Sequence, residues 1–194
     1  MTDLYLRLKK KLRQKQSPKR FEHSVSVGDW AARLGAAHGW PAERARLAGL
    51  LHDYAKEWSP KKLQRYVEKH KLKVPDVTFI LATSPNMLHA YVSADVAKRK
   101  KWITRSKDLL AISSHTLGRE RMGLEEKILF IADFSAPGRT YPSARAIRRT
   151  ALADLEAGFR ETLALKIGWH LRKTKAIHSL PIRVWNRLVC GVKA

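Results

Sequence analysis

The chain has 194 residues, with 39 Lys plus Arg against 17 Asp plus Glu and 8 His, a formal charge of +22 at pH 7. Apolar residues make up 44%, an ordinary globular content that excludes a disordered basic tail. The length suits one domain with a sizeable core, and a single cysteine, Cys190, excludes a disulfide framework or a multi-Cys zinc site. No apolar run approaches ~20 residues, so no membrane-spanning helix is expected. The N-terminus lacks a signal-peptide pattern, so a cytoplasmic location is expected. The sequence sets no oligomeric state.

Leu4, Leu8 and Leu12 recur every four residues among Arg and Lys, which predicts a basic amphipathic helix over 4–15. Ser17-Pro18 breaks it. Val27, Trp30, Ala31 and Leu34 form an apolar stripe on a helix over 21–37, closed by His38-Gly39-Trp40-Pro41. Ala45, Ala48 and Leu51 share a face of the next helix, 42–55. Ser59-Pro60 reads as an N-cap followed by Pro at the first helical position, opening a helix with Leu63, Tyr66 and Val67. Residues 73–88 are irregular, with Pro75, Ser84 and Pro85 as breakers. Helices follow over 89–99 and 108–116. A strongly apolar segment occupies 124–132, a Pro137-Gly138 turn follows, and 143–172 holds one or two long helices. Pro181 starts the last helix. Period-2 alternation, repeats and linkers are lacking, so the expected fold is a single all-α domain. Its basic excess is spread over 7–20, 61–73, 98–107 and 160–194, and such charge suits a polyanionic partner, a nucleotide or a nucleic acid.

The chemistry concentrates on His and Asp. His52-Asp53 ends an apolar helix, and a His and an Asp buried side by side are costly unless paired or bound to a cation. His23, His89, His115 and Asp133 also lie at helix ends or on apolar stretches. Four His and two Asp could hold two metal ions, with Asp53 able to bridge them. Nitrogen and oxygen donors suit iron, manganese, cobalt, nickel or zinc. His38 and His70 adjoin breakers, and His170 and His178 lie in the basic C-terminal region, so none of these four is expected to be a ligand.

The order His, His-Asp, His, His, Asp resembles the HD-domain metal phosphohydrolase superfamily. Within it, Arg20-Phe21-Glu22-His23-Ser24-Val25-Ser26-Val27 is similar to the R-x-x-H-x-x-x-V pattern of the bacterial YqeK-type group. Ala48-Gly49-Leu50-Leu51-His52-Asp53-Tyr54-Ala55-Lys56 resembles its A-G-L-L-H-D-Y-A-K. Leu88-His89, His115-Thr116-Leu117-Gly118-Arg119 and Glu126-Lys127-Ile128-Leu129-Phe130-Ile131-Ala132-Asp133 resemble its leucine-histidine pair, its H-T-T-G-R and its E-K-I-I-F-L-A-D. Pro137-Gly138-Arg139 continues the last motif, and Ile177-His178 and Asn186 resemble the group's C-terminal helix.

The resemblance implies one HD-type helical bundle over 1–194 with the metal site between helices. A basic N-terminal helix over 1–16 and a basic C-terminal helical region over 160–194 would pack on it. It implies metal ligation by His23, His52, Asp53, His89, His115 and Asp133, with two divalent transition-metal ions, iron first and manganese or cobalt as alternatives. Asp53 and Lys56 are the expected catalytic residues, and Lys56, Arg119 and Arg139 the expected phosphate-binding residues. The group is similar to symmetrical diadenosine-tetraphosphate hydrolases, so a dinucleoside polyphosphate is the expected substrate and two ADP the expected product. Another HD-type nucleotide phosphatase or phosphodiesterase is an alternative, and so is a basic RNA- or ribosome-associated binding protein. Two positions depart from the group: Ala90-Tyr91 stands where Gly-Pro is frequent, and Ala136 stands where a Glu is usual.

Overall fold

A computed structural model describes residues 2–191, so residue 1 and residues 192–194 of the two basic terminal stretches lie outside the described residues. The described residues form eleven α-helices and one 3-10 turn, with no strand. They are α1 (Asp3–Lys15), α2 (Pro18–His38), α3 (Ala42–Leu51), α4 (Pro60–Lys69) and α5 (Val77–Thr83). The 3-10 turn (Pro85–Leu88) leads into α6 (His89–Arg99), α7 (Ser106–Ser114), α8 (Leu124–Ser135), α9 (Pro142–Ala153), α10 (Leu155–Arg172) and α11 (Ser179–Cys190).

Local chemistry sets most boundaries. Ser17 and Ser59 cap α2 and α4 by accepting from the amides of Arg20 and Lys62, each followed by Pro at the first helical position. Residues 143–172 resolve into two helices because Asp154 is extended (φ −144°, ψ 109°) and its carboxylate caps α10 at Ala157 N. α3 stops at Leu51, four residues short of the expected end. Beyond it the ladder tightens to i→i−3 bonds, from Tyr54 N to Leu51 O and from Lys56 N to Asp53 O, both 3.1 Å. The Ala55 amide leaves the ladder altogether and donates to Ser93 Oγ on α6 at 3.0 Å. α7 likewise ends one residue before His115.

Burial falls into two groups. The larger core joins Tyr5, Leu8 and Leu12 of α1 to Val27, Trp30 and Leu34 of α2, Leu50 and Leu51 of α3, and Ile128 to Ala132 of α8. The smaller one joins Ala55, Leu63, Val67, Ile80, Leu88, Val92 and Val96. His52 and Asp53 sit in the chain between Leu51 of the first core and Ala55 of the second. The α2–α3 crossing is the most extensive helix pairing, and it depends on glycine. A Cβ on Gly49 would lie 2.6 Å from the Gly28 Cα, and one on Gly28 would lie 2.8 Å from the Arg46 carbonyl oxygen. Only a glycine pair lets the two backbones approach so closely.

Asp108 shows how a buried charge is satisfied in this bundle. Its carboxylate accepts from Arg44 Nε and Nη2 at 2.9 and 2.6 Å and from the Trp40 indole at 3.0 Å. That fork ties α7 to α3 and to the α2–α3 turn.

Candidate metal centre

Five elements deliver six His and Asp residues to one point. His23 comes from the second turn of α2, His52 and Asp53 from the turn after α3, and His89 from the first residue of α6. His115 follows α7, and Asp133 lies in the last turn of α8. The turn carrying His52-Asp53 is pinned on several sides. Gln16 donates to the Asp53 carbonyl at 3.1 Å, Ser17 N donates to the Glu57 carboxylate at 2.9 Å, and Ser93 holds Ala55.

Ligand atoms fall into two groups, His23–His52–Asp53 and Asp53–His89–His115, each with all its donor atoms within 4.8 Å of one another. Asp53 belongs to both. Asp133 Oδ1 closes the first group from the far side, 3.1 Å from His23 Nε2 and 3.6 Å from His52 Nε2. All six residues expected to be ligands are therefore brought together.

The imidazoles are oriented for coordination. Nδ1 of His52, His89 and His115 lies 2.6, 2.5 and 2.7 Å from the carbonyl oxygens of Gly49, Asn86 and Ile112, each three residues back. A carbonyl only accepts, so each Nδ1 carries a proton, and the neutral rings of His89 and His115 turn their Nε2 lone pairs to the centre. His89 Nε2 and His115 Nε2 then face each other at 3.2 Å with no proton to share. His52 Nε2 and Asp53 Oδ1 are buried without a hydrogen-bond partner, although His89 Nε2 is only 2.9 Å from that oxygen. Converging lone pairs and an unpaired buried carboxylate oxygen are costly in a dry interior. A divalent cation removes that cost, and the nitrogen and oxygen donors fit a borderline transition metal.

The titration behaviour follows the same packing. Burial pushes His115 down to about 4 and also lowers His23 and His89, which keeps these three rings neutral and ligand-ready. Burial opposes charge at His52 too, but the Asp53 and Asp133 carboxylates outweigh it and raise His52 to about 10. Burial likewise disfavours the two carboxylates, yet the surrounding imidazoles hold both well below the usual carboxylate range.

The HD domain model matches residues 20–136, a span that holds all six of these His and Asp residues. The chain belongs to the HD domain family. A symmetrical bis(5'-nucleosyl)-tetraphosphatase of Halalkalibacterium halodurans is 32% identical to this HD protein over 174 residues, 90% of this chain and 91% of that one. One of the same name from Bacillus subtilis is 27% identical, covering 93% of this chain and 95% of its own. The crystal structure of an HD superfamily hydrolase from Clostridium acetobutylicum, described as involved in NAD metabolism, superposes with a TM-score of 0.89. It is 30% identical and the match covers 96% of this chain and 97% of that one.

The basic residues divide. Lys56 stands one turn past Asp53, near enough for its charge to lower both His89 and Lys166. Arg139 Nη2 is 3.6 Å from Asp133 Oδ1, and its Nε is buried without a partner. Arg119 turns away. It forks onto Glu126 at 3.0 and 2.7 Å, and the same carboxylate accepts from Gly123 N to brace the start of α8. Two further bases reach the centre without having been singled out. Arg20 Nη1 donates to Asp53 Oδ2 at 2.5 Å, and its i, i+3 spacing to His23 was the signal that could have found it. Lys166, on α10, donates to the His115 carbonyl at 3.1 Å. Burial lowers its ammonium to about 8 against the pull of Asp133. Nothing local in the sequence marks it.

His38, His70 and His178 all serve the fold. His38 bonds the Ala151 carbonyl at 2.7 Å, His70 packs against the Tyr66 ring, and His178 caps α11 through Leu180 N.

Proposed function

We propose that this HD protein is a metal-dependent hydrolase that cleaves diadenosine tetraphosphate symmetrically to two ADP. The observation that carries the reading is Asp53, shared between two three-donor groups at the meeting point of five elements. The names of the curated relatives support the substrate. Two divalent ions would supply Lewis-acid polarisation of phosphate oxygens and acidification of a water, and iron is the proposed metal, with manganese and cobalt able to use the same donors.

The chain's own residues then have distinct tasks. His23, His52 and Asp133 form one side of the centre, His89 and His115 the other, and Asp53 bridges them. The carbonyl-bound Nδ1 protons fix the rings, so no reorganisation is needed when the ligands engage. Arg20 orients the Asp53 carboxylate through Oδ2. Lys56 and Arg139 bind the phosphate chain, Arg139 with a guanidinium suited to two phosphate oxygens. Arg119 was an expected third phosphate group. Its fork on Glu126 gives it a bracing task in this reading. The proposed location is the cytoplasm.

The test is turnover of protein loaded with ferrous iron or Mn²⁺. ADP as sole product supports the reading; ATP plus AMP, or a higher kcat/KM for another nucleotide in a matched panel, points to the alternative HD-type phosphatase or phosphodiesterase.

A second reading concerns the charge outside the pocket. α1 buries Tyr5, Leu8 and Leu12 in the core, so its apolar stripe is not free for a membrane, and Arg7, Lys10, Arg13 and Lys15 face outward. This face suits a nucleic-acid backbone. RNA binding that falls steeply with log[salt] supports it, and binding flat across salt removes it.

A further inference from the structure

We infer that Lys166, with Thr116 beside it, is a third phosphate-binding arm of the centre, joining Lys56 and Arg139 in the proposed hydrolase. The inference rests on that reading of the site. Lys166 lies on α10, beyond the residues 20–136 that the HD domain model spans.

Three observations place it. The first is the anchor. Lys166 Nζ donates to the carbonyl of His115 at 3.1 Å and stands over the Phe130 ring at 3.9 Å. An ammonium has three donors, and this bond uses one. The carbonyl and the ring fix the nitrogen in place, so binding an anion would not require ordering a free side chain. No carboxylate lies within ion-pair distance of Lys166 among the described residues, although Asp133 and Asp53 both act on its charge.

The second is Thr116. Its hydroxyl is buried without a hydrogen-bond partner, and Thr116 and Lys166 line the same small cavity of about 40 Å³ with Phe130, Met87 and His170. A buried hydroxyl without a partner is costly, and an anion oxygen or a bridging water would satisfy it. The third is charge. Two carboxylates, Asp53 and Asp133, face four cationic side chains at the centre: Arg20, Lys56, Arg139 and Lys166. Divalent ions add to that excess. A carboxylate-poor, cation-rich pocket is matched by a ligand carrying several negative charges in a row, such as a polyphosphate chain. A lone phosphate monoester would leave most of the excess unbalanced.

The experiment compares wild type with Lys166→Met and Lys166→Arg, each loaded with Mn²⁺. ADP and inorganic phosphate binding are followed by calorimetry, diadenosine tetraphosphate hydrolysis is resolved into kcat and KM, and metal content and Tm are measured. Lys166→Met is expected to weaken ADP binding and raise KM by about 10- to 100-fold, the loss of one charge-assisted bond, with two metals retained. Lys166→Arg is expected to restore most of the binding. Equal ADP affinity in wild type and Lys166→Met would overturn the inference. So would a Lys166→Met chain that loses metal and Tm together and is not restored by Arg, because that is the signature of a brace on the His115 carbonyl. Calorimetry also separates the two claims. A chain that hydrolyses no diadenosine tetraphosphate, yet loses ADP affinity on Lys166→Met, keeps the arm and loses the substrate.

Discussion

At the scale of single residues, Asp53 carries the most. It is the one group common to both donor sets, and the neighbouring imidazoles hold it ionised in a buried place. Asp53→Asn keeps its shape and removes its charge. Metal content is expected to fall from two ions to one or none, with affinity reduced beyond the ~10- to 100-fold typical of losing an outer partner, as read by elemental analysis. Two retained ions would show that Asp53 is not the bridge. Ser93 tests the turn that carries it. Ser93→Ala strands the buried Ala55 amide and is expected to cost about 1–3 kcal/mol by thermal or denaturant unfolding. The six His and Asp were legible in the sequence because each sits in a short motif on an apolar stretch. Lys166 was not, because its partner His115 is 51 residues away and it is one of 39 bases. Thr116 was quoted only as part of a motif, since an unpaired hydroxyl becomes visible only when its surroundings are folded around it.

At the scale of elements, glycines determine where two helices can meet. Gly28 and Gly49 bring α2 and α3 into backbone contact, and that contact aligns His23 on one helix with His52 just past the end of the other. Gly49 also supplies the carbonyl that orients the His52 ring. Gly49→Ala puts a methyl 2.6 Å from the Gly28 Cα, so the helices must separate. The expected cost is about 1–3 kcal/mol in unfolding free energy, accompanied by weaker metal binding. A variant with unchanged Tm and metal content would show that the crossing tolerates the methyl. Most helices were readable from apolar spacing and from Ser-Pro caps. The end of α3 was not. Apolar periodicity continues to Ala55, but the Ala55 amide is captured by Ser93, 38 residues away, which no local pattern reports.

At the scale of the whole molecule, two hydrophobic groups meet around the His52-Asp53 turn, which lies in the chain between Leu51 of one and Ala55 of the other. Metal binding should therefore stabilise the fold as a whole. Free metal at about 100 times Kd is expected to add about 2.7 kcal/mol of unfolding free energy, and a chelator should reverse the rise in Tm. An unchanged Tm would mean that the centre is not metal-linked. The formal charge of +22 was plain from composition, but its division was not. Four of the bases turn to the centre, several face outward on α1, and others are absorbed in ion pairs such as Arg44–Asp108 and Arg119–Glu126. The most direct test of the central claim is product identification from diadenosine tetraphosphate with protein shown by elemental analysis to hold two metal ions per chain. The account predicts ADP alone. ATP with AMP, or no product at full metal occupancy, would contradict it.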